Sequence, residues 1–406
     1  MTISPAKLSR LFVILAAGAP ALFGVNRVVS NAGVIVGCRA QYTTIAAAIA
    51  AANPNDTVLV CNTGVPFNEQ VTISKSITLS GQSGATIQPN PIAANTTDLY
   101  DGSAIAAAVL VTPGTTGVTI SDLIIDGSQN QIAGCAPQLI GVYFQNASGT
   151  IVHTAVTNFA LGSGLQGCQT GLAIYAETDN AGGLSHVTAV ENSVRGFQKN
   201  GITANFTGAT LIAESNVVTG WGPTPYNAQN GIQIAFGATG TITGNTVSGE
   251  VYTPCIDPEN CTYSATGILI YDPSGTIATK SNHIDDTQGA IYYQGESGGD
   301  IASNTISNTL VFDGIDIYPD TGLPGTGNTV TLNTIMNSSE SGMYVDTDSN
   351  TITDNKIVDT PIGIWLADTN NTPAGNKIYA AAIEIQEGTP PQAGARRGKM
   401  KPQPFR

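Results

Sequence analysis

Charge is scarce in this chain. Only 11% of its 406 residues are Asp, Glu, Lys or Arg, well below the ~25% usual in soluble domains. Long runs of helix formers are absent while Gly, at 46 residues, and Asn are abundant, a composition for many short strands joined by tight turns. Basic residues are rarest: between residues 28 and 390 seven Lys/Arg face all 29 Asp/Glu, a balance of −22. A body this acidic excludes nucleic acid, whose binders need a basic face. The three histidines, His153, His186 and His283, have no metal spacing, and none of the six cysteines stands in a CxxC pair, so no metal site is expected.

Long apolar runs are missing too. The run Leu11–Ala17 is far short of the ~20 residues that span a bilayer. Lys7 and Arg10 precede it and "APA" follows at 19–21, so residues 1–23 read as a cleaved export signal. Six cysteines suit the oxidising compartment this implies, secreted, periplasmic or on the cell surface, as structural disulfides. Sequence neighbours could pair as Cys38–Cys61, Cys135–Cys168 and Cys255–Cys261. Five Lys/Arg crowd the last residues, "GARRGKMKPQPFR", and 389–406 reads as a basic, disordered tail.

What is present is a repeat. Nine segments begin alike: "GVYFQ" (141), "GLAIY" (171), "GITAN" (201), "GIQIA" (231), "GILIY" (267), "GAIYY" (289), "GIDIY" (314), "GMYVD" (342) and "GIWLA" (363), spaced 21 to 36 residues apart. Asn192, Asn216, Asn245, Asn282, Asn304, Asn333, Asn355 and Asn376 recur between them, each two residues before Val or Ile. Units this short exclude a propeller blade, and the regular Leu spacing of leucine-rich repeats is missing. Three short strands per unit fit a parallel β-helix, with the asparagines forming an amide ladder inside a turn.

"YTTIAAAIAAANPNDTVLV" (42–60), an amphipathic helix running into a strand, is followed by "PFNEQVTISKSITLSGQSGATI" (66–87). With the repeat, these stretches resemble the right-handed parallel β-helix proteins of the pectin-lyase-like superfamily over about residues 38–385. The resemblance implies an all-β solenoid over 34–388, roughly 11 coils, with an N-terminal capping helix. It implies architecture more than activity. In polysaccharide-acting members the substrate groove runs along the sheet built from these Gly-led strands. Phage-type trimeric fibres share the architecture, but the export signal argues against them.

Numbering each unit from its Gly, positions 2 and 4 are apolar and point inward, so 3 and 5 point outward. Outward Tyr271, Tyr293 and Tyr318 should stack in one exposed row, continued by Tyr344 and Trp365, with Tyr175 nearer the N-terminus. Aromatic faces beside Asp316 and Asp346 suit sugar rings. The two aspartates lie one coil and two residues apart, ~8 Å between Cα atoms, compatible with the acid and base of an inverting glycosidase. A lyase would need a base and a cation-neutralised uronate. Arg195 and Lys199, placed near Tyr175 and Glu177, are the candidates, with calcium as the possible cofactor. "DTDSN" (346–350) only partly matches a calcium loop. The function expected is binding and cleavage of an extracellular polysaccharide, more neutral than anionic. The alternative is a non-catalytic surface, adhesion or structural protein.

Overall fold

The computed structural model describes residues 24–33, 37–179, 181–257, 261–368, 370–388 and 403–405; the expected export signal lies outside them. The chain winds into a right-handed parallel β-helix of about 12 coils. Sheet 1 carries the Gly-led strands, such as Gln138–Gln145, Leu172–Glu177, Asn200–Asn205, Asn230–Ala235, Thr266–Tyr271, Ile291–Gln294, Ile315–Tyr318, Ser341–Val345 and Ile362–Leu366. Sheet 2 starts with Asn26–Val29 beside Thr57–Val60, so the solenoid begins ahead of residue 34. Sheet 3 runs from Thr86–Ile87 to Lys377–Tyr379.

Each coil contributes Ile, Val or Leu to one continuous core, for example Ile174, Ile202, Ile232, Ile268, Ile315 and Ile364 from sheet 1. β-Branched side chains fill a pleated interior with little rotamer loss. The recurring Gly has a steric cause. A Cβ on Gly231 would sit 2.6 Å from the Gly267 carbonyl oxygen, and one on Gly363 2.5 Å from that of Glu384.

One helix, Ile45–Ala51, covers the first coil. Its N-terminal amides are capped by Thr44 Oγ1 and by the Glu69 carboxylate, which accepts from Ile45 and Ala46 at 2.9 and 3.0 Å. At the other end the Lys75 ammonium donates to the carbonyls of Ile49, Ala50 and Ala52. Both charges come from the following coils and match the helix dipole.

The asparagine ladder forms as the spacing predicts. Asn192 bonds Asn216, and so on through Asn245, Asn282, Asn304, Asn333 and Asn355 to Asn376, each side-chain oxygen accepting at 2.9–3.0 Å from the backbone and side-chain amides one coil before. The residue ahead of each rung is left-handed, as at Ser215, Ser281, Ser303 and Leu332, a conformation that strains non-Gly residues. A second ladder, Asn328–Asn350–Asn371, runs along another turn. Asn350, the last oxygen donor of the calcium-like "DTDSN", is used there. The three expected disulfides, Cys38–Cys61, Cys135–Cys168 and Cys255–Cys261, are formed. They suit an extracytoplasmic location. No described helix is long and apolar enough to cross a membrane.

Candidate functional site

The outward face of sheet 1 differs from the expectation in register, cover and partners. Ile268 pairs with Ile291, Leu269 with Tyr292 and Ile270 with Tyr293. Ala290, not Gly289, therefore occupies the Gly row, and a one-residue slip reverses both faces of a strand. Tyr293 points into the core and donates to Thr279 Oγ1 at 2.8 Å; it is not a surface residue of this face. Tyr292 takes the outward place. At the "GLAIY" unit the slip is two residues, which preserves facing: Tyr175 pairs with Tyr143.

The outward aromatics then form three groups. Tyr292, Tyr318, Tyr344 and Trp365 run along the C-terminal coils with ring centroids 5.2–5.5 Å apart. Tyr271 packs against that row and also meets Phe236 at a tilt, with ring centroids 5.5 Å apart, in a line with Phe206 and Tyr100. Tyr143 and Tyr175 lie parallel at 5.4 Å nearer the N-terminus. The main row is not exposed: Tyr292 and Tyr318 are at most 1% accessible, Trp365 4% and Tyr344 9%. They pack with Phe312, Cys255 and Cys261.

Asp316 and Asp346 keep their expected relation. Asp316 is opposite Tyr344 and Ile317 opposite Val345, which puts Asp346 one coil and two residues on. Asp316 is fully buried. Arg195 and Lys199 do not form a site with Glu177. Arg195 is exposed on sheet 3, paired with Thr157 and Thr219. Lys199 is fully buried, donates at 2.5 Å to the Ala228 carbonyl and is pushed down to about 7 by burial. Register counting along one sheet misses this, because residues four apart across a corner separate.

Glu177 has other partners. Tyr143 donates to its carboxyl and the Leu99 amide approaches at 3.4 Å. Burial first and Asp98 second push it up to about 8, and the same burial pushes Tyr143 up. Glu177 thus holds a proton at neutral pH, the state a general acid requires.

Between the tyrosine groups the face is lined by amides. Asn200, Asn205, Asn230 and Gln233 sit on two successive strands, interlinked by Asn200 Nδ2 to Gln233 Oε1 at 2.8 Å and Gln233 Nε2 to Asn205 Oδ1 at 2.9 Å. Part of the segment expected to be disordered rests here. Phe405 is 3% exposed, donates its amide to Gln233 Oε1 at 2.9 Å, and accepts at its carbonyl from Gln233 and Asn205, both at 2.8 Å. Asn230 donates to the Gln403 carbonyl at 3.1 Å, and the Phe405 ring meets Tyr175 edge to face at 5.6 Å. Composition registers only that such a segment has no core of its own; it is blind to a groove elsewhere that accepts its backbone. The outward Asn and Gln at 200, 205, 230 and 233 were the available signal. Among the described residues no three His, Cys, Asp or Glu side chains converge to hold a metal ion.

Residues 226–380 match the family model described as right handed beta helix region. No curated protein matches the sequence. Among solved structures, an N-terminal fragment of bacteriophage phi29 gene product 12 aligns over 88% of this chain and 67% of its own, with TM-score 0.51 and 11% identity. The pre-mature form of that phage protein aligns at TM-score 0.43 and 10% identity; 88% of this chain covers 56% of that one, so the chain spans little more than half its length. A polygalacturonase from Erwinia carotovora ssp. carotovora aligns over 90% and 96% of the two chains, with TM-score 0.49 and 11% identity. Identities this low show the architecture alone.

Proposed function

We propose that this is an extracytoplasmic polysaccharide-binding protein that takes a neutral polymer along the outward face of sheet 1, and that it cleaves what it binds. The observation that carries the reading is the amide cluster of Asn200, Asn205, Asn230 and Gln233, which already holds a chain backbone beside Tyr175. Alternating amide and aromatic groups serve the hydroxyl edges and C–H faces of sugar rings. Asp316 and Asp346 are the proposed acid and base. Lys199 is buried and engaged by the Ala228 carbonyl while Arg195 lies on another sheet, so the calcium-assisted lyase is the weaker enzyme reading. The burial of Asp316 favours the second reading, a binding protein without catalysis.

A panel of neutral and anionic glycans, followed for binding, new reducing ends and unsaturated uronate absorbance, separates these. The expected result is binding of a neutral glycan with release of reducing ends. Asp316→Asn and Asp346→Asn should each lower turnover by ~10² or more, the scale of a lost general acid or base. Binding with no product leaves the non-catalytic reading, and no binding by either the wild type or a Phe405→Ser variant removes the polysaccharide.

A further inference from the structure

The cover over the amide cluster is made of unusual material for a permanent one. Where a β-sheet face is closed for good, apolar side chains are the ordinary lining, and the Phe405 ring does join such a patch with Ile105, Ile140, Leu172, Tyr143 and Tyr175. The backbone of Gln403 and Phe405, by contrast, is held by polar side chains. Gln233 alone engages both the amide and the carbonyl of Phe405, as one strand engages its neighbour, and Asn205 and Asn230 add a bond each. Such a surface stays hydrated and stable once the segment departs, because each amide can exchange its partner for water. Hydrogen bonds that replace those of water hold the segment only weakly against the entropy of ordering it.

We propose that Gln403–Phe405 is an intramolecular plug. It occupies the sugar-ring subsite formed by Tyr175, Asn205, Asn230 and Gln233, and a polysaccharide enters only when the plug leaves. The Phe405 ring stands against Tyr175 where the apolar face of a sugar would lie, and its amide and carbonyl stand in for a pair of hydroxyls. The inference rests on the polysaccharide reading and adds its regulation. Anything that captures or removes the segment activates the site, and a high local concentration of the segment, fixed by its attachment, silences it.

The test uses the full chain carrying Phe405→Ser and a fluorescent peptide, Gly-Lys-Met-Lys-Pro-Gln-Pro-Phe-Arg, copied from 398–406. Anisotropy should show the peptide binding the variant at least tenfold more tightly than the wild type, and Gln233→Leu added to the variant should abolish it. Neutral glucan and galactan fragments should likewise bind the variant at least tenfold more tightly. A peptide that binds both proteins equally, or neither, overturns the plug. Glycan binding that is equal in wild type and variant also overturns it while leaving the polysaccharide reading intact. Peptide binding to the variant with no glycan bound by either protein keeps the segment's seat and removes the polysaccharide reading.

Discussion

At the scale of single residues, two tyrosines adjacent in sequence have opposite fates. Tyr293 is enclosed by the core with its hydroxyl satisfied by Thr279. Tyr293→Ala should cost ~3–5 kcal/mol, as large core truncations do, and Tyr293→Phe about 1 kcal/mol for the hydrogen bond; denaturant unfolding measures both. Glu177 gives a pH signature. Its folded carboxyl is raised to about 8, against ~4.3 in an unfolded chain. Its stabilising contribution is complete below the unfolded value and is lost as pH rises through about 8. Glu177→Gln should therefore melt like the wild type near pH 4 and a few degrees above it at pH 9. Lys199 has the opposite sign. Lowered to about 7, it contributes fully above its unfolded value and loses that contribution as pH falls through about 7. Lys199→Met should gain in melting temperature below pH 7 and little at pH 10. Thermal melts across pH on the two variants read both trends.

At the scale of elements, the asparagine ladder from Asn192 to Asn376 joins eight successive coils by side-chain hydrogen bonds. Asn282 is an interior rung: it accepts from Asn245 and donates to Asn304 and to the Ile242 carbonyl. Asn282→Ala takes the side-chain partner from the buried Asn245 backbone amide and from the Ile242 carbonyl and should cost ~2–4 kcal/mol, since each unsatisfied buried group costs ~1–3 kcal/mol. Asn376, the last rung and only half-buried, loses three such bonds against four and should cost less. Equal losses at both positions would mean the rungs are independent. The Cys255–Cys261 bond closes a loop of sequence separation 6, and both cysteines pack with Phe312 and the tyrosine row. Its removal should cost ~2 kcal/mol on a loop-closure basis. Non-reducing peptide mapping should recover this pair with no free thiol.

At the scale of the whole molecule, one sheet face gathers most of what is chemically distinctive. It holds buried aromatics at the C-terminal coils, amides in the middle, and Glu177 with Tyr143 and Tyr175 towards the N-terminal coils. The acidic body, −14 for the chain, favours neutral over polyanionic ligands through its long-range field. Binding of a neutral glycan should therefore change little between low and high salt, whereas any polyuronate binding should strengthen as salt screens repulsion. Trp365 separates groove from packing. Trp365→Ala should lower stability by ~3–5 kcal/mol, the core-truncation scale, because the ring is buried and its indole N–H donates to the Gly388 carbonyl at 3.0 Å. A melting point unchanged by that substitution would return the ring to the surface.

The repeat of Gly-led strands and the Asn spacing were enough to determine the solenoid and its ladder, because both depend on periods along the chain, which local chemistry writes directly into the sequence. The capping helix came from the amphipathic stretch at 42–60 and the family resemblance, and the cysteine pairs were open in the sequence and closed by the structure. Facing at "GAIYY" was not determined that way. Whether Ala290 or Gly289 stands in the close-approach row depends on how the neighbouring coils stack, and the large Tyr293 is accepted inside because Thr279 meets its hydroxyl. Nor could the chain alone reveal that Arg195 and Lys199 part across a corner, that loops bury the tyrosine row, or that Phe405 returns to Asn205 and Gln233 from 172 residues beyond Gln233. Those outcomes belong to contacts between segments distant in sequence, where the deciding term is the shape and hydrogen-bonding capacity of a surface that exists only after the coils have closed.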